Sequence, residues 1–481
     1  MKLSYTTKIG RYQYWFVATG LLVALATGIL SVIGQNFLFS LIPAIFLACV
    51  TFLILLFREP FVGLIAIIFY VFFMGFFTRE IGGFQYGIIV DALFVLTWLS
   101  VWYNAKRLNL SLLNNNFVWL TVVWFIISCA QLVNPAGASP QGWLQEVRGA
   151  ALYPLLAVPL GAALITTPKR LNSFLTIFLF CAFIACLNGI KQHTIGLSTG
   201  EQAFLDRGGD VTHFIDGRIR IFSFYDAAQF GPLMALTSLV AIVLAAGVKK
   251  WWKKTVLILI GILTFYGMMI SGTRGAFFVL IAGVPLALSL SKNLKAIVIG
   301  SSSSLLLFAF LKFTTIGNTN YAVYRLRTSI APSEDASFNV RIINQAKLRE
   351  HLKTRPFGEG LGSTGHWGAE FNPDKYVATI APDSYWVKVW VMYGIVGLIF
   401  FICMWMFFIG KSSGMIWKVK NKNIRFKLIA LSAGAAGIFL SSYGNEVMNT
   451  MPSSLIINLS LGAIFVFCIK DRNEQHQQMK Q

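Results

Sequence analysis

Few residues of this chain have the type and placement to do chemistry, and most of them stand where an apolar run begins. Ala381-Pro382-Asp383-Ser384-Tyr385-Trp386 leads into the apolar run 384–409. An Asp or Ser after Pro at a helix start is first of all an N-cap. The same carboxylate, at the mouth of the helix, can also accept a proton from an incoming hydroxyl. Arg220, in Arg218-Ile-Arg220-Ile-Phe-Ser-Phe-Tyr-Asp226, precedes the run 229–248, and Arg274, in Ser271-Gly-Thr-Arg274-Gly-Ala, fills a short turn before 275–291. An arginine in so tight a connection is either a snorkelling anchor or an anion ligand. The planar, permanently charged guanidinium suits bidentate phosphate binding at low dielectric.

Further ionisable groups stand close by. Lys388 lies about one turn inside the helix that Asp383 opens, and Asp91 lies about 7 Å inside the end of the run 86–103 at 1.5 Å per residue. At such depths they must pair, for instance with each other, or line a polar cavity. Residues 336–354 lack Gly and Pro, which predicts a helix with Arg341, Gln345, Leu348 and Leu352 on one face. The glycines of Arg355-Pro356-Phe-Gly358-Glu-Gly360-Leu-Gly362 then predict a flexible, hinge-like turn. With no preceding strand and no Lys-Ser/Thr following, they carry little sign of a phosphate loop. His366, in Gly365-His-Trp-Gly, is an alternative base ranked below Asp383, because it falls in the body of the loop.

The elements that must hold these groups are membrane helices. Of 481 residues, 56% are hydrophobic and 12% charged, which excludes a soluble enzyme, a disordered chain and a coiled coil. Reading for runs of roughly 20 apolar residues gives about 14 spans, at 13–33, 36–57, 61–77, 86–103, 117–133, 149–166, 171–190, 229–248, 255–271, 275–291, 296–315, 384–409, 428–444 and 453–469. The expected fold is an all-α polytopic membrane protein. It divides into an N-terminal bundle (1–190), a first long outer loop (191–228), helices carrying the Arg274 turn (229–315), a large, partly helical outer loop acting as a catalytic lid (316–383), and C-terminal helices with a basic tail (384–481). With Lys2, Lys8 and Arg11 inside, every second short loop is basic, from Arg58 through Lys249–Lys254 to Lys470, so both termini are expected in the cytoplasm. The first run is too long for a cleavable signal and is kept as a span. All six cysteines fall in predicted spans and read as packing residues, neither disulfides nor metal ligands.

Taken in order, these features resemble the bacterial O-antigen ligase and O-antigen polymerase superfamily. The ligases end their large periplasmic loop with His-[Asn/Ser/Gln]-x9-Gly-x-x-[Gly/Thr/Tyr]. Here Ser384, Gly394 and Gly397 match at that spacing, and Asp383 stands at the His position. Arg220, Arg274 and Asn339-Val-Arg341 with Pro356-Phe-Gly-Glu-Gly-Leu-Gly362 are similar to the family's remaining arginine and glycine motifs. The resemblance runs from Arg218 to Gly397. It implies a glycosyltransferase of the bacterial inner membrane, with its active site on the outer face, that moves a glycan from undecaprenyl diphosphate onto an acceptor sugar hydroxyl. Arg220, Arg274 and Arg341 would bind the diphosphate and Asp383 would act as base, with inversion and without metal, nucleotide or cofactor. His366, Lys388 and Asp91 would be accessory. Asp in place of His favours a repeat-unit polymerase over a ligase that hands the finished glycan to a lipid or other acceptor. A transporter or flippase is the alternative of another class; its usual internal repeats and mid-membrane charges are not seen. The excess of 40 Lys+Arg over 19 Asp+Glu falls almost wholly in the predicted cytoplasmic segments. It therefore reads as a topology signal facing anionic membrane lipid rather than a nucleic-acid surface.

Overall fold

The computed structural model describes residues 37–209, 213–215, 217–317, 323–324, 327 and 336–478. The first predicted span, 13–33, lies outside the described residues. In chain order the helices are α1 (Phe37–Arg58), α2 (Phe61–Glu80), α3 (Gly87–Tyr103), α4 (Asn116–Ala130), α5 (Pro140–Val147), α6 (Tyr153–Leu164), α7 (Pro168–Thr194) and α8 (Thr199–Phe204). After the two-residue strands β1 (Phe214–Ile215) and β2 (Arg218–Ile219) come α9 (Ala227–Gly247), α10 (Trp251–Ile270), α11 (Phe277–Ser291) and α12 (Leu294–Phe313). Then follow α13 (Ala336–Leu352), α14 (Gly365–Phe371), α15 (Tyr385–Lys418), α16 (Lys422–Ser441) and α17 (Ser453–Gln478). Among the described residues, ten helices are long and apolar enough to cross a membrane, and three more apolar helices are shorter. The chain is an all-α multi-pass membrane protein.

Each predicted span after the first coincides with a helix, though several boundaries move. The predicted start at 149 shifts to Pro140, because Pro at the first helical position is favourable and α5 continues into α6 through a π-helical segment at Arg148–Leu152. The Trp124 indole donates to the Ala150 carbonyl there at 2.9 Å. At the other extreme, α15 and α17 run on to Lys418 and Gln478, so the basic segments after their apolar parts begin as helix.

The bundle is centred on α9, α16 and α17, which are buried nearly all round. Small residues allow the closest crossings: a side chain at Gly437 would meet the Val279 carbonyl at 2.6 Å, and one at Gly462 would collide with the Val158 carbonyl. One end of the bundle gathers α8, the β1–β2 hairpin, α13 and α14, and is called here the loop end. The opposite end gathers the lysines around α10 and α16. There Arg170 pairs with Glu59 at 2.6 Å, Lys470 donates to the Thr166 carbonyl at 2.7 Å, and Asp471 accepts from the Lys420 amide at 3.1 Å.

Candidate functional site

A cavity of about 1080 Å³ opens at the loop end, lined by α5, α13, α14, the turn before α11, and the connections that enter α9, α15 and α17. Its wall includes Arg220, Arg274, Arg341, Asp383, Lys388 and His366. Six of the seven residues singled out in the sequence therefore share one space. The seventh, Asp91, is not among the lining residues. It is held by Arg148 at 2.6 Å and by the Tyr153 hydroxyl at 2.7 Å. This overturns the pairing of Asp91 with Lys388. Asp91 faces the helix bearing Arg148, whereas Lys388 faces α5 and the connection between α16 and α17.

Arg220 and Arg274 meet because their two short segments are stitched together. The Arg220 guanidinium donates to the Thr273 hydroxyl at 2.7 Å, and that hydroxyl donates to the Ala227 carbonyl at 2.6 Å. Gly231 on α9 permits the approach, since a side chain there would meet the Ser271 hydroxyl at 2.5 Å. From the other side, Ser441 donates to the Gly275 carbonyl at 2.8 Å. Arg79 fixes the strand leading to α9: it donates to the carbonyls of Ser223 at 2.7 Å and Tyr225 at 2.6 Å, with its guanidinium over the rings of Phe204 and Phe222. Burial holds His213, beside this strand, below the ordinary histidine range; Arg220 and Arg79 act the same way, against the Gly209 carbonyl and Asp226.

The expected helix 336–354 is present as α13, and its apolar face does the positioning. Leu348 and Leu352 pack with Val377, Ile380, Val387 and Val391, which docks α13 on the start of α15 and turns Arg341 to the cavity. The Arg341 Nε is buried without a hydrogen-bond partner among the described residues.

The glycine segment 356–362 is not a free hinge, as the sequence suggested. It is packed across a break in α15. Gly394, at φ +69°, interrupts that helix, and the carbonyls released there accept from the amides of Glu359 at 2.8 Å and Gly360 at 3.0 Å. A side chain at Gly394 would strike the Pro356 carbonyl. Buried Glu359 then collects His351 at 2.7 Å, Lys375 at 3.2 Å and Arg355, locking the end of α13 to the segment.

Asp383 sits at the rim of this assembly with φ +51°, in the left-handed region where few side-chain-bearing residues rest. It does not cap α15. Ser384 does, accepting from the Val387 amide at 3.4 Å and donating to the Ser442 carbonyl at 3.3 Å. The Asp383 carboxylate, partly buried, makes no hydrogen bond or ion pair among the described residues. Burial pushes its pKa above the ordinary carboxylate value; Arg341 opposes that rise and Glu446 adds to it. His366, by contrast, is mostly exposed at the edge of the cavity, 3.6 Å from Glu370.

Below Asp383 the cavity floor holds an ion triad not singled out in the sequence. Buried Lys388 lies 3.0 Å from Glu146 and 2.9 Å from Glu446. Asn445 and Asn449 lie alongside, each with a buried amide atom lacking a partner among the described residues. The signal was present: Glu146 and Glu446 are acids at the ends of apolar runs on the same side of the chain as Asp383, the property that selected Lys388 and Asp91. Compared with protein-family models the chain matches none, and no curated protein is significantly similar to it.

Proposed function

We propose that the protein is a membrane glycosyltransferase that moves a glycan from an undecaprenyl-diphosphate donor onto an acceptor sugar hydroxyl, working at the outer face of the bacterial inner membrane with both termini in the cytoplasm. One observation carries the reading: three arginines and a carboxylate without a hydrogen-bond or ion-pair partner among the described residues line a single cavity at the loop end. Arg220, Arg274 and Arg341 would hold the diphosphate and stabilise the charge that builds on it as the bond from the anomeric carbon to the phosphate oxygen breaks. Asp383 would take the proton of the acceptor hydroxyl as its oxygen attacks that carbon from the opposite side, giving inversion. Guanidinium groups would here supply the positive charge that other phosphate-handling enzymes draw from a metal. The Lys388 triad and the neighbouring amides offer hydrogen-bonding groups to a sugar, and their carboxylates would repel a diphosphate. That polarity would set donor and acceptor on different walls.

A repeat-unit polymerase is the first reading and a ligase the second, since the same geometry serves both. Asp383→Asn is the direct test, because the helix cap belongs to Ser384 and survives the change. Transfer from an undecaprenyl-diphosphate-linked glycan by purified Asp383→Asn should fall about 10²- to 10⁴-fold; a normal rate would remove Asp383 as the base. Sizing the lipid-linked glycans of a deletion strain separates the two readings. Single repeat units accumulate if polymerisation is lost, and long untransferred chains if ligation is lost.

A further inference from the structure

The lysine end carries a second cavity, of about 830 Å³, between α7, the α9–α10 turn, α10 and the start of α16. Its composition divides sharply. Lys249, Lys250, Lys253, Lys422 and Lys427 ring one end, while Leu175, Leu179 and Phe183 of α7 face Val256, Leu257 and Ile260 of α10 along the rest. Among the described residues no Asp or Glu lines it, and none of the five lysines has a carboxylate within 4 Å. The packing enforces this convergence: a side chain at Gly247 would meet the Phe426 Cβ at 2.6 Å, so the end of α9 is pressed onto α16 and two lysine-bearing segments share one rim. Lys253 also lies 5.2 Å from the ring of Trp252, which is half exposed beside the rim.

We infer that this groove is a binding site for an anionic membrane phospholipid, with the headgroup phosphate among the lysines and an acyl chain between α7 and α10. Converging like charges without a counter-ion repel one another, and a phosphate held among them relieves that repulsion. The length of the groove favours a lipid over free phosphate. From Asn172 to Phe183 along α7 the wall runs about 16 Å at 1.5 Å per residue, close to half of the roughly 30 Å hydrocarbon core and so to one leaflet. A free anion would use the rim and leave the apolar wall without a purpose, whereas a phospholipid covers both. This site lies at the opposite end from the arginine cavity and stands whether or not the glycan reading holds.

The experiment is native mass spectrometry of the full chain in detergent, titrated with dioleoylphosphatidylglycerol, with dioleoylphosphatidylcholine, or with inorganic phosphate. Phosphatidylglycerol adducts should form at concentrations where phosphatidylcholine gives none, and inorganic phosphate should not displace them. Lys253→Gln with Lys427→Gln should raise the phosphatidylglycerol concentration needed by roughly 30-fold. Lys418→Gln with Lys420→Gln removes the same charge from the same end outside the groove and should change little. Val256→Trp keeps every lysine and fills the apolar wall, so it too should weaken binding; it separates lost binding from misfolding of the lysine variant. The site is overturned if phosphatidylcholine binds equally, if inorganic phosphate competes fully, if the two lysine pairs behave alike, or if Val256→Trp binds lipid as the parent does.

Discussion

The two ends of the bundle hold positive charge in opposite ways. At the loop end the guanidinium groups are built in: Arg79 between two carbonyls, Arg148 on Asp91, Arg220 on Thr273. At the other end, beside arginines such as Arg58, Arg107 and the paired Arg170, much of the charge sits on lysines such as Lys249, Lys250 and Lys253, which are exposed and paired with no carboxylate among the described residues. Arginine's rigid fork repays being positioned, because each N–H then has a fixed partner or a fixed place for a ligand. Lysine, compact and strongly hydrated, suits the task of staying in water or meeting headgroups. A positioned charge fits recognition, and a diffuse one fits orientation and contact with lipid.

The comparison predicts that equal charge changes at the two ends have very unequal costs. Lys388→Met should cost the most, about 3–5 kcal/mol, because it leaves the fully buried Glu146 without its counter-ion. Adding Glu146→Gln to Lys388→Met should restore part of the loss. At the other end Lys249→Ala, at an exposed lysine, should stay within about 0.5 kcal/mol. Detergent-solubilised melting temperatures decide, and a Lys388→Met protein that melts with the parent would remove the triad as a structural unit. Next comes Arg274→Ala, expected to lower glycan transfer about 10²- to 10³-fold. Lys254→Ala, which removes the same charge from the other end, should stay within about twofold. Similar rates for the two would erase the distinction between positioned and diffuse charge.

Gly394→Ala probes the scaffold rather than the charges, and its expected effect is smaller. Its φ of +69° places an L-residue in a region costing of order 1–3 kcal/mol, and the added methyl meets the Pro356 carbonyl. The segment 356–362 should lift from α15 and take α13 with it, so that Arg341 leaves the cavity. Faster amide exchange at Glu359 and Gly360, whose hydrogens bond across the break, is the measurement. Unchanged protection would mean that the glycine break is not what docks the segment.

How much of this could be read from the sequence depends on the range of the interaction involved. Helices and their order follow from local apolar runs, and Arg220, Arg274 and Asp383 could be marked because each sits at a run boundary. Their meeting was a matter of topology, since residues on the same side of a bundle share an end. What stayed hidden depends on contacts between distant segments. Lys388 chooses Glu146 and Glu446 over Asp91, residues 242, 58 and 297 positions away respectively, and nothing local ranks them. Similarly, glycines at 358, 360 and 362 signal an unusual backbone whether it is a hinge or, as here, a docked strand whose partner is made only by the break at Gly394. The β1–β2 hairpin, two residues per strand, is too short to show a pattern at all.

The smallest effect sets the sharpest test of the arginine cavity, because two neighbours act on Asp383 in opposite directions. A base must be unprotonated, so transfer should rise with pH through the pKa of Asp383, which burial already holds above the ordinary carboxylate value. Glu446 adds to that rise, hence Glu446→Gln should release the proton more readily and move the acid limb of the rate profile to lower pH. Arg341 opposes the rise, hence Arg341→Gln should move the limb to higher pH while also weakening donor binding. Each displacement should be less than about one unit, equivalent to 1.36 kcal/mol, and should shrink in high salt as screening grows. Lys388 keeps Glu146 as a partner in Glu446→Gln, so that variant retains a paired floor. Limbs that move together, or not at all, would assign the titration to another group and leave Asp383 without its role.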